Sequence, residues 1–353
     1  MCFLRYGLIC KMDRQERFAE AFWAIVPVSL TDAKGLLFHK TGAERDAMVD
    51  RILEGKAAIP QKAAGLDPYA LLKQIRPTQW VKNGLLFLPL LASHSAFGVS
   101  WLFCAIGFVA FSLLASAIYI VNDLCDLSAD RLHPKKRFRP LASGKLSLRK
   151  GQRVAVFLIV SGLVLSALIN FEFLLVAIVY LVLTSLYSFK LKKGRAVDIL
   201  MLSALYAIRV IAGATAASVP ATGWFLAFVG PVFLSLAAVK RLTEVTRLSE
   251  AGKVPGRSYS TADRQWLIAT AILSAVGAVC VFSAYTQSNT AGLIYSRPLI
   301  LLLSSLPLAV WLARMIISSA RGLQDFDPIT HALKDKVGLG LIAISLGFVY
   351  FAI

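Results

Sequence analysis

Nine apolar runs separated by polar connections occupy most of the sequence after residue 66. A helix needs roughly 20 apolar residues to cross the hydrocarbon core of a bilayer, and several runs approach that length. Because backbone groups in lipid must be hydrogen-bonded within the chain, such runs are expected to be helical. The pattern predicts an all-α, polytopic membrane protein with about nine transmembrane helices. The runs lie near 84–98, 100–121, 154–170, 172–189, 198–217, 222–239, 266–286, 298–316 and 338–353.

The composition agrees with a membrane protein. Apolar residue types make up 57% of the chain and charged types only 16%, whereas a soluble domain carries about a quarter charged residues. Lys and Arg outnumber Asp and Glu by 38 to 20. This positive charge is spread over several membrane-edge loops, which argues against a nucleic-acid binder and favours phosphate-bearing ligands. The five cysteines form no paired motif, so a disulfide framework or a zinc site is disfavoured.

The charge of the connections predicts the orientation. Connections after the second, fourth, sixth and eighth runs are rich in Lys and Arg, whereas those after the first, third, fifth and seventh hold only Arg297. The positive-inside rule then places the even connections and the N-terminus in the cytoplasm and the C-terminus outside. We expect a multi-pass protein of the bacterial inner membrane. Residues 1–66 are predicted to be a cytoplasmic N-terminal extension of unknown role, and residues 67–353 the transmembrane catalytic domain.

Three acids at the end of the second run form the clearest chemical motif. Asp123, Asp126 and Asp130 are spaced i, i+3 and i+7, which places them on one face of a helix. Clustered carboxylates repel one another, and hard oxygen ligands favour Mg²⁺ or Mn²⁺ over zinc. The motif therefore predicts a metal site. The alternative is a solvated helix end whose acids pair with nearby Arg and Lys side chains.

A run of cations follows the acids directly. Lys136, Arg137 and Arg139 lie within ten residues of Asp130. Acids, a divalent metal and cations together bind polyphosphates, because the metal bridges two phosphates while Lys and Arg hold the outer oxygens. The positive-inside rule alone also accounts for a basic loop.

Further charges lie within or beside later runs. Arg209 is eleven residues into the fifth run, where a cation is costly unless it is paired or faces a polar cavity. Asp198 lies three turns earlier, so the two side chains are expected to face one cavity or to form a structural pair. Lys240, Arg241 and Glu244 cluster at the end of the sixth run, as part of a phosphate pocket or of a membrane-edge charge cluster. The acidic loop around Asp327 is expected to cap a helix.

These motifs resemble a known family. Asn122-Asp-x-x-Asp126-x-x-x-Asp130 followed by Lys136-x-x-Arg139-Pro-x-Ala-Ser-Gly resembles the first signature of the UbiA superfamily of intramembrane prenyltransferases. The usual second motif, DxxxD, is incomplete, because Asp198 is followed four residues later by Leu202. Other stretches are similar to the decaprenyl-phosphate phosphoribosyltransferase branch. They are Arg76-Pro-Thr-Gln-Trp80-Val-Lys82-Asn83, Tyr187-Ser-Phe-x-Leu-Lys192, Arg209-Val-Ile-Ala-Gly213, Lys240-Arg241-x-x-Glu244 and Asp327-Pro-Ile-x-x-Ala-Leu-Lys-Asp335.

The resemblance implies a nine-span fold with a cytoplasmic Mg²⁺ site. It also implies transfer of 5-phosphoribose from phosphoribosyl pyrophosphate to a polyprenyl phosphate such as decaprenyl phosphate, which supplies the precursor of lipid-linked arabinose. The same sequence group includes a rhizobial nodulation protein linked to arabinosylation of Nod factors.

With this reaction in mind, residue roles follow as expectations. Asp123, Asp126 and Asp130 would hold the metal, and Asn122 would position them by hydrogen bonds. Lys136, Arg137 and Arg139 would neutralise the leaving pyrophosphate, with Asp123, Asp126, Lys136 and Arg139 as the catalytic set. The remaining candidates for substrate binding are Lys82, Lys192, Lys240 and Arg241 for the phosphates, and Asp198, Arg209, Glu244 and Tyr259 for ribose hydroxyls or support.

Two other functions stay open. One is a prenyltransferase that moves a prenyl group from a prenyl diphosphate to an aromatic acceptor; the incomplete second motif and the extra cations count against it. The other is a membrane transporter with Arg209 and the acids along an ion path. Internal repeats and broken spans are typical of transporters. The sequence shows no internal repeat and no span plainly broken by paired Gly or Pro, which weakens this alternative.

Overall fold

The computed structural model describes residues 67–94, 98–132, 135–191, 194–248, 252, 254, 257–324 and 327–353. These residues form α-helices joined by short 3₁₀ segments and turns, so the predicted all-α fold is confirmed. The predicted extension, residues 1–66, lies outside the described residues, and so does Lys192. The domain boundary at residue 67 therefore stays a prediction.

Fourteen α-helices cover most of the described chain. Three 3₁₀ segments, Pro77–Phe87, Lys136–Phe138 and Thr261–Asp263, lie among them. The helices are α1 (Pro68–Ile75), α2 (Leu88–Ala92), α3 (Val99–Cys125), α4 (Leu127–Leu132), α5 (Leu148–Ile169), α6 (Phe171–Phe189), α7 (Arg195–Ala217), α8 (Gly223–Thr246), α9 (Arg264–Thr286), α10 (Asn289–Gly292), α11 (Pro298–Leu303), α12 (Ser305–Ala320), α13 (Pro328–Lys334) and α14 (Lys336–Ala352).

Among the described residues, seven helical segments are long and apolar enough to cross a membrane. They are α3, α5, α6, α7, α8, α9 with its preceding 3₁₀ turn, and α11 together with α12, and they correspond to the second to eighth apolar runs. The ninth run is α14, which meets α13 at a bend of 85° and gives an eighth span if the pair is counted as one.

The first apolar run, 84–98, differs from the predicted spanning helix. Its described part is the end of the 3₁₀ segment Pro77–Phe87, the five-residue α2 and a turn. Pro89 lacks an N–H group and Gly84 has low helix propensity, so a long regular helix is disfavoured here. The buried polar side chains of Lys82 and Asn83 also bind partners outside the segment. Hydropathy alone reports none of these effects.

The described chain divides into two compact units. The first comprises the described residues up to Pro77 together with Ala115–Val160, and the second comprises Thr78–Leu114 and Ser161–Ile353. Within the second unit, α8 packs against α7, α9 and α12. The core there includes Tyr206 of α7, Phe233 of α8, and Trp311 and Met315 of α12, all buried.

Polar side chains begin several helices. Asn170 alone separates α5 from α6, and its side chain accepts a bond from the Phe173 amide at 2.7 Å. Its amide group also donates to the Thr215 carbonyl of α7 at 2.8 Å. Such caps satisfy backbone amides that would otherwise lack an intrahelical partner. This single polar residue explains why two adjacent apolar runs form two helices rather than one.

Gly213 allows the 3₁₀ segment to pack closely on α7. A Cβ atom at this position would lie 1.9 Å from the carbonyl oxygen of Leu86. No side chain fits at that distance, and the obstacle is backbone, which moves less readily than a side chain. The contact fixes the segment that carries Lys82 and Asn83 against the helix that carries Arg209.

We therefore expect Gly213→Ala to destabilise the protein by about 2 kcal/mol or more, because an added methyl group must displace backbone. Gly230→Ala is the matched control, since a Cβ there meets nothing within 4 Å. The measurement is thermal unfolding of both variants in the same detergent. Equal midpoints for the two variants would contradict the close approach.

Candidate active site

Asp123, near the end of α3, is surrounded by donors in the first unit. Arg76 contacts its two oxygens at 2.6 and 2.7 Å, Arg139 contacts Oδ1 at 2.9 Å, and Gln74 donates to Oδ2 at 2.8 Å. Arg76 ends α1 in the left-handed region, with φ of 52°, and precedes Pro77, which favours a helix end. Its guanidinium also lies 4.9 Å from the centre of the Tyr119 ring. The helix end thus delivers a cation to a buried acid.

Asp130 shares one of these cations. The Nη1 atom of Arg139 lies 2.6 Å from Asp130 Oδ2 as well as 2.9 Å from Asp123 Oδ1, and Lys136 lies 4.0 Å from Asp130. Burial raises the pKa of Asp130, while Arg139 counteracts that rise. One guanidinium nitrogen therefore bridges two carboxylates that are seven residues apart. The helical spacing predicted this convergence of Asp123 and Asp130.

The other members of the predicted motif are less enclosed. Asn122 and Asp126 are half-buried, and Arg137 is exposed with its guanidinium 4.9 Å from the ring of Phe138. Within the described ranges, no three His, Cys, Asp or Glu side chains are grouped as a metal centre. Two of the acids, Asp123 and Asp130, are buried and pair with Arg76 and Arg139. The assignment of all three aspartates to a metal stays a prediction.

The donor chemistry nevertheless suits a hard divalent cation. Arg139 shows that two carboxylates converge on one cationic position. Gln74 is buried, and its Oε1 atom has no hydrogen-bond partner among the described residues, while its amide nitrogen is used by Asp123. Two carboxylates and an amide oxygen are ligand types that Mg²⁺ accepts, with water and substrate phosphates completing its shell.

A second polar cluster surrounds Asp198 at the start of α7. Arg241 binds both Asp198 and Glu244, and Arg257 lies 2.5 Å from Asp198 Oδ1. The Tyr187 hydroxyl lies 3.0 Å from the same oxygen. The side chains of Arg241 and Asp198 are fully buried. Two arginines and two acids balance, so the cluster is an internal network without excess charge.

Three predicted site residues, Asp198, Arg241 and Tyr259, have partners within the protein. Asp198 and Arg209 do not meet, because eleven residues of helix separate them by about 16 Å, and each has its own partners. Arg241 is enclosed by Asp198 and Glu244 and does not present its guanidinium to a ligand. Tyr259, a candidate for ribose hydroxyls or for support, is fully buried and donates its hydroxyl to the Arg195 carbonyl. It fastens the loop after α8 to the start of α7.

Arg209 has only neutral partners among the described residues. It donates to Asn83 Oδ1 at 3.0 Å, to the Tyr180 hydroxyl at 3.1 Å and to the Leu205 carbonyl. Asn83 in turn donates to Ser112 at 3.0 Å. Arg209 therefore ties the 3₁₀ segment to α3, α6 and α7, and its assignment to ribose hydroxyls or to support stays a prediction.

A third cluster joins two lysines to one acid in the second unit. The Nζ atoms of Lys82 and Lys240 lie 2.5 and 3.7 Å from Asp327 Oδ2. Asp327 also caps α13, as the sequence predicted, by accepting bonds from the amides of Ile329 and Thr330. Burial raises the pKa of Asp327, but the two lysines outweigh that effect and hold it below its usual range.

Sequence reasoning missed several members of these clusters as site residues. Asp327 was assigned only a cap, although it gathers two predicted phosphate ligands. The sequence offered only the three short motifs that contain Lys82, Lys240 and Asp327. These motifs do not tell how far apart the side chains lie in the fold. The other missed residues are Gln74, Arg76, Asn83, Tyr180, Tyr187 and Arg257.

Comparison with known proteins assigns the chain to a family. Residues 85–320 match the UbiA prenyltransferase family. The chain belongs to this family. A protein named nodulation protein NoeC from Azorhizobium caulinodans is 34% identical to this UbiA family member over 281 residues, 78% of the chain and 91% of NoeC. Decaprenyl-phosphate phosphoribosyltransferase of Mycobacterium tuberculosis is 34% identical over 283 residues, again 78% of the chain and 91% of the relative.

Solved structures agree on the fold. A UbiA homolog from Archaeoglobus fulgidus, bound to GPP and Mg²⁺, matches with a TM-score of 0.55 over 80% of the chain and 99% of that structure, at 13% identity.

An uncharacterized protein, y4nM of Sinorhizobium fredii, is longer, and the chain spans 55% of it. The family and the named relatives point to a transferase, and the apolar helices make this UbiA family member a multi-pass membrane protein.

The buried network around Arg241 yields a stability prediction. Arg241→Met should cost about 3–5 kcal/mol, because it leaves the fully buried Asp198 and the half-buried Glu244 with Arg257 alone as their cationic partner. Asp198→Asn combined with Arg241→Met should recover part of the loss, since one uncompensated charge is removed. The control is Arg314→Met, which removes the exposed arginine of a pair with Asp335 and should change the thermal midpoint much less. Equal losses for Arg241→Met and Arg314→Met in thermal unfolding would contradict the network.

Proposed function

We propose that this UbiA family member transfers 5-phosphoribose from phosphoribosyl pyrophosphate to a polyprenyl phosphate in the membrane. The observation that carries the proposal is the convergence of Asp123 and Asp130 on Arg139, with Arg76 and Lys136 beside them. Acids and cations in one place are the arrangement that binds a metal–pyrophosphate group. The name of the mycobacterial relative, decaprenyl-phosphate phosphoribosyltransferase, supports the acceptor and the transferred group.

Partial exposure of the arginines supports a binding role for this cluster. The side chains of Arg76 and Arg139 are 27% and 30% exposed, whereas Arg241 in the balanced network is 0% exposed. An accessible guanidinium can exchange a carboxylate for a phosphate oxygen at little cost in desolvation, while a sealed one cannot. Arg139, Arg137 and Lys136 are therefore proposed to neutralise the pyrophosphate as it leaves.

Asp123, Asp126 and Asp130 are proposed to hold Mg²⁺, with Mn²⁺ as the substitute. The metal would supply positive charge at the pyrophosphate oxygens and so favour departure of that group. Asn122 would orient the acids by hydrogen bonds. The convergence of two carboxylates on one cation supports this assignment.

The reaction needs no general base. A phosphate monoester is largely dianionic near neutral pH, since its second pKa is about 6, so its oxygen is already a nucleophile. That oxygen would form a bond to the anomeric carbon of ribose while the bond from that carbon to pyrophosphate breaks. The pyrophosphate takes the bonding electron pair, and in-line attack inverts the anomeric centre. No His or Glu base is required, and Glu244 of the second cluster is already bound by Arg241.

The acceptor's tail requires apolar surface. Two apolar grooves run along α12, one beside α14 and one beside α9, with volumes of 470 and 360 Å³. These grooves are proposed to accommodate the polyprenyl chain. The product would feed synthesis of lipid-linked arabinose and, through it, arabinosylation of Nod factors, with which likeness to a protein named nodulation protein NoeC is in keeping.

We expect membranes that contain the protein to move label from ribose-labelled phosphoribosyl pyrophosphate into decaprenyl phosphate in the presence of Mg²⁺. Asp123→Asn should lower the rate about 100-fold or more, because a group that organises charge at the leaving group is lost. The measurement is label in the lipid phase per milligram of folded protein.

Asp67→Asn is the matched control, since Asp67 is exposed and caps α1, a role that Asn also fills. Chelation of divalent cations should abolish transfer, and Mg²⁺ or Mn²⁺ should restore it. Absence of lipid label, together with transfer of a prenyl group from prenyl diphosphate to an aromatic acceptor, would overturn the proposal and favour a prenyltransferase.

A further inference from the structure

Three elements of the second unit bring charged side chains to one point. Lys82 lies in the 3₁₀ segment Pro77–Phe87, Lys240 lies in the last turns of α8, and Asp327 immediately precedes α13. Both ammonium groups approach the same oxygen, Oδ2 of Asp327, at 2.5 and 3.7 Å. Their side chains are only 11%, 18% and 15% exposed. The cluster is therefore largely shielded from solvent.

The cluster carries excess positive charge. When both lysines are protonated, two ammonium groups face one carboxylate and one positive charge is left over, in contrast to the balanced network around Asp198. A shielded, uncompensated charge is costly. In a chain with this fold, such a charge is retained most readily where an anion neutralises it during function.

Hydrogen-bond donors also remain. Each ammonium group has three N–H donors. Lys82 uses two of them, on Asp327 and on Gln79 Oε1 at 2.8 Å. Lys240 makes only the longer contact to Asp327 among the described residues. The two lysines therefore retain donors for further oxygen atoms.

The spacing suits a single phosphate. Because both contacts are to one oxygen, the two nitrogens lie no more than about 6 Å apart, and two oxygens of one phosphate can each accept a charge-assisted bond of ~2.8 Å across that gap. The Oδ2 atom of Asp327 stands where a phosphate oxygen would stand.

We propose that Lys82 and Lys240 clamp a phosphate monoester and that Asp327 is an internal counter-anion, which the phosphate replaces. The inference rests on the proposed function, because both of its substrates carry a phosphate monoester: the polyprenyl phosphate headgroup and the 5-phosphate of the sugar donor. Two ammonium groups balance a dianion only when Asp327 has withdrawn. Asp327 thus sets the affinity of the clamp by competing for it.

Substitution of Asp327 by Asn removes the negative charge and keeps the helix cap. Asn is as good a helix cap as Asp, so α13 keeps its first turn, while the competing negative charge is lost. Lys82→Met and Lys240→Met remove one cation each at similar volume. Asp335→Asn is the matched control, because Asp335 lies at the other end of α13 and pairs with the exposed Arg314.

The experiment measures equilibrium binding of two probes, farnesyl phosphate and ribose 5-phosphate, to purified full-length protein in detergent by calorimetry. Asp327→Asn should bind one probe about tenfold more tightly than the unsubstituted protein, because a like charge near the ligand is gone. Lys82→Met and Lys240→Met should each weaken the same probe about tenfold or more. Asp335→Asn should match the unsubstituted protein. The probe that responds identifies the substrate that uses the clamp.

Weaker or unchanged binding of both probes in Asp327→Asn would overturn the exchange, and unchanged binding in both lysine variants would overturn the clamp. Thermal midpoints measured in parallel show that each variant is folded, and phosphate should raise the midpoint of Asp327→Asn more than that of the unsubstituted protein. Binding that responds as expected without any transfer of phosphoribose would leave the clamp in place and reject the proposed reaction. The two failures are therefore distinguishable.

Discussion

The cost of holding charge among apolar helices governs this protein. A buried ion without a partner is strongly destabilising, and lipid offers no water to replace the missing bonds. The described residues answer this constraint with three polar clusters in which acids and cations lie within contact distance. Arg209, which meets no acid there, is held by neutral oxygens of Asn83, Tyr180 and Leu205. The 3₁₀ segment Pro77–Phe87 supplies Lys82 to the lysine cluster and Asn83 to Arg209.

Charge balance and exposure distinguish the roles of the clusters. The network of Asp198, Arg241, Glu244 and Arg257 is neutral and closed, so it stabilises the helix ends that it joins. The cluster around Asp123 is paired but keeps its arginines partly exposed, which permits exchange of partners. The lysine cluster holds more positive than negative charge. A closed neutral network suits support, and open or unbalanced clusters suit anionic substrates.

Much of this could be predicted from the sequence, for physical reasons. Hydropathy reports burial in lipid, so the second to eighth apolar runs matched the seven spanning segments. Helical spacing reports a shared face, so Asp123 and Asp130 were expected together. Hydropathy does not report local geometry. The run at 84–98 was therefore predicted as one long helix, whereas its described part is the end of a 3₁₀ segment, the five-residue α2 and a turn. Neither hydropathy nor helical spacing indicates which residues far apart in the sequence pair with one another. Nothing in the sequence indicates that Asp327 meets Lys82, or that Asp198 selects Arg241 rather than Arg209.

The most direct test of the account is the identity and stoichiometry of the products. Purified protein in lipid would be incubated with phosphoribosyl pyrophosphate, decaprenyl phosphate and Mg²⁺, and the lipid would be analysed by mass spectrometry while released pyrophosphate is counted. The account predicts a lipid heavier by one phosphoribosyl group and one pyrophosphate for each such lipid. Pyrophosphate release with an unchanged lipid, or a lipid phosphate left intact while an aromatic acceptor gains a prenyl group, would contradict it.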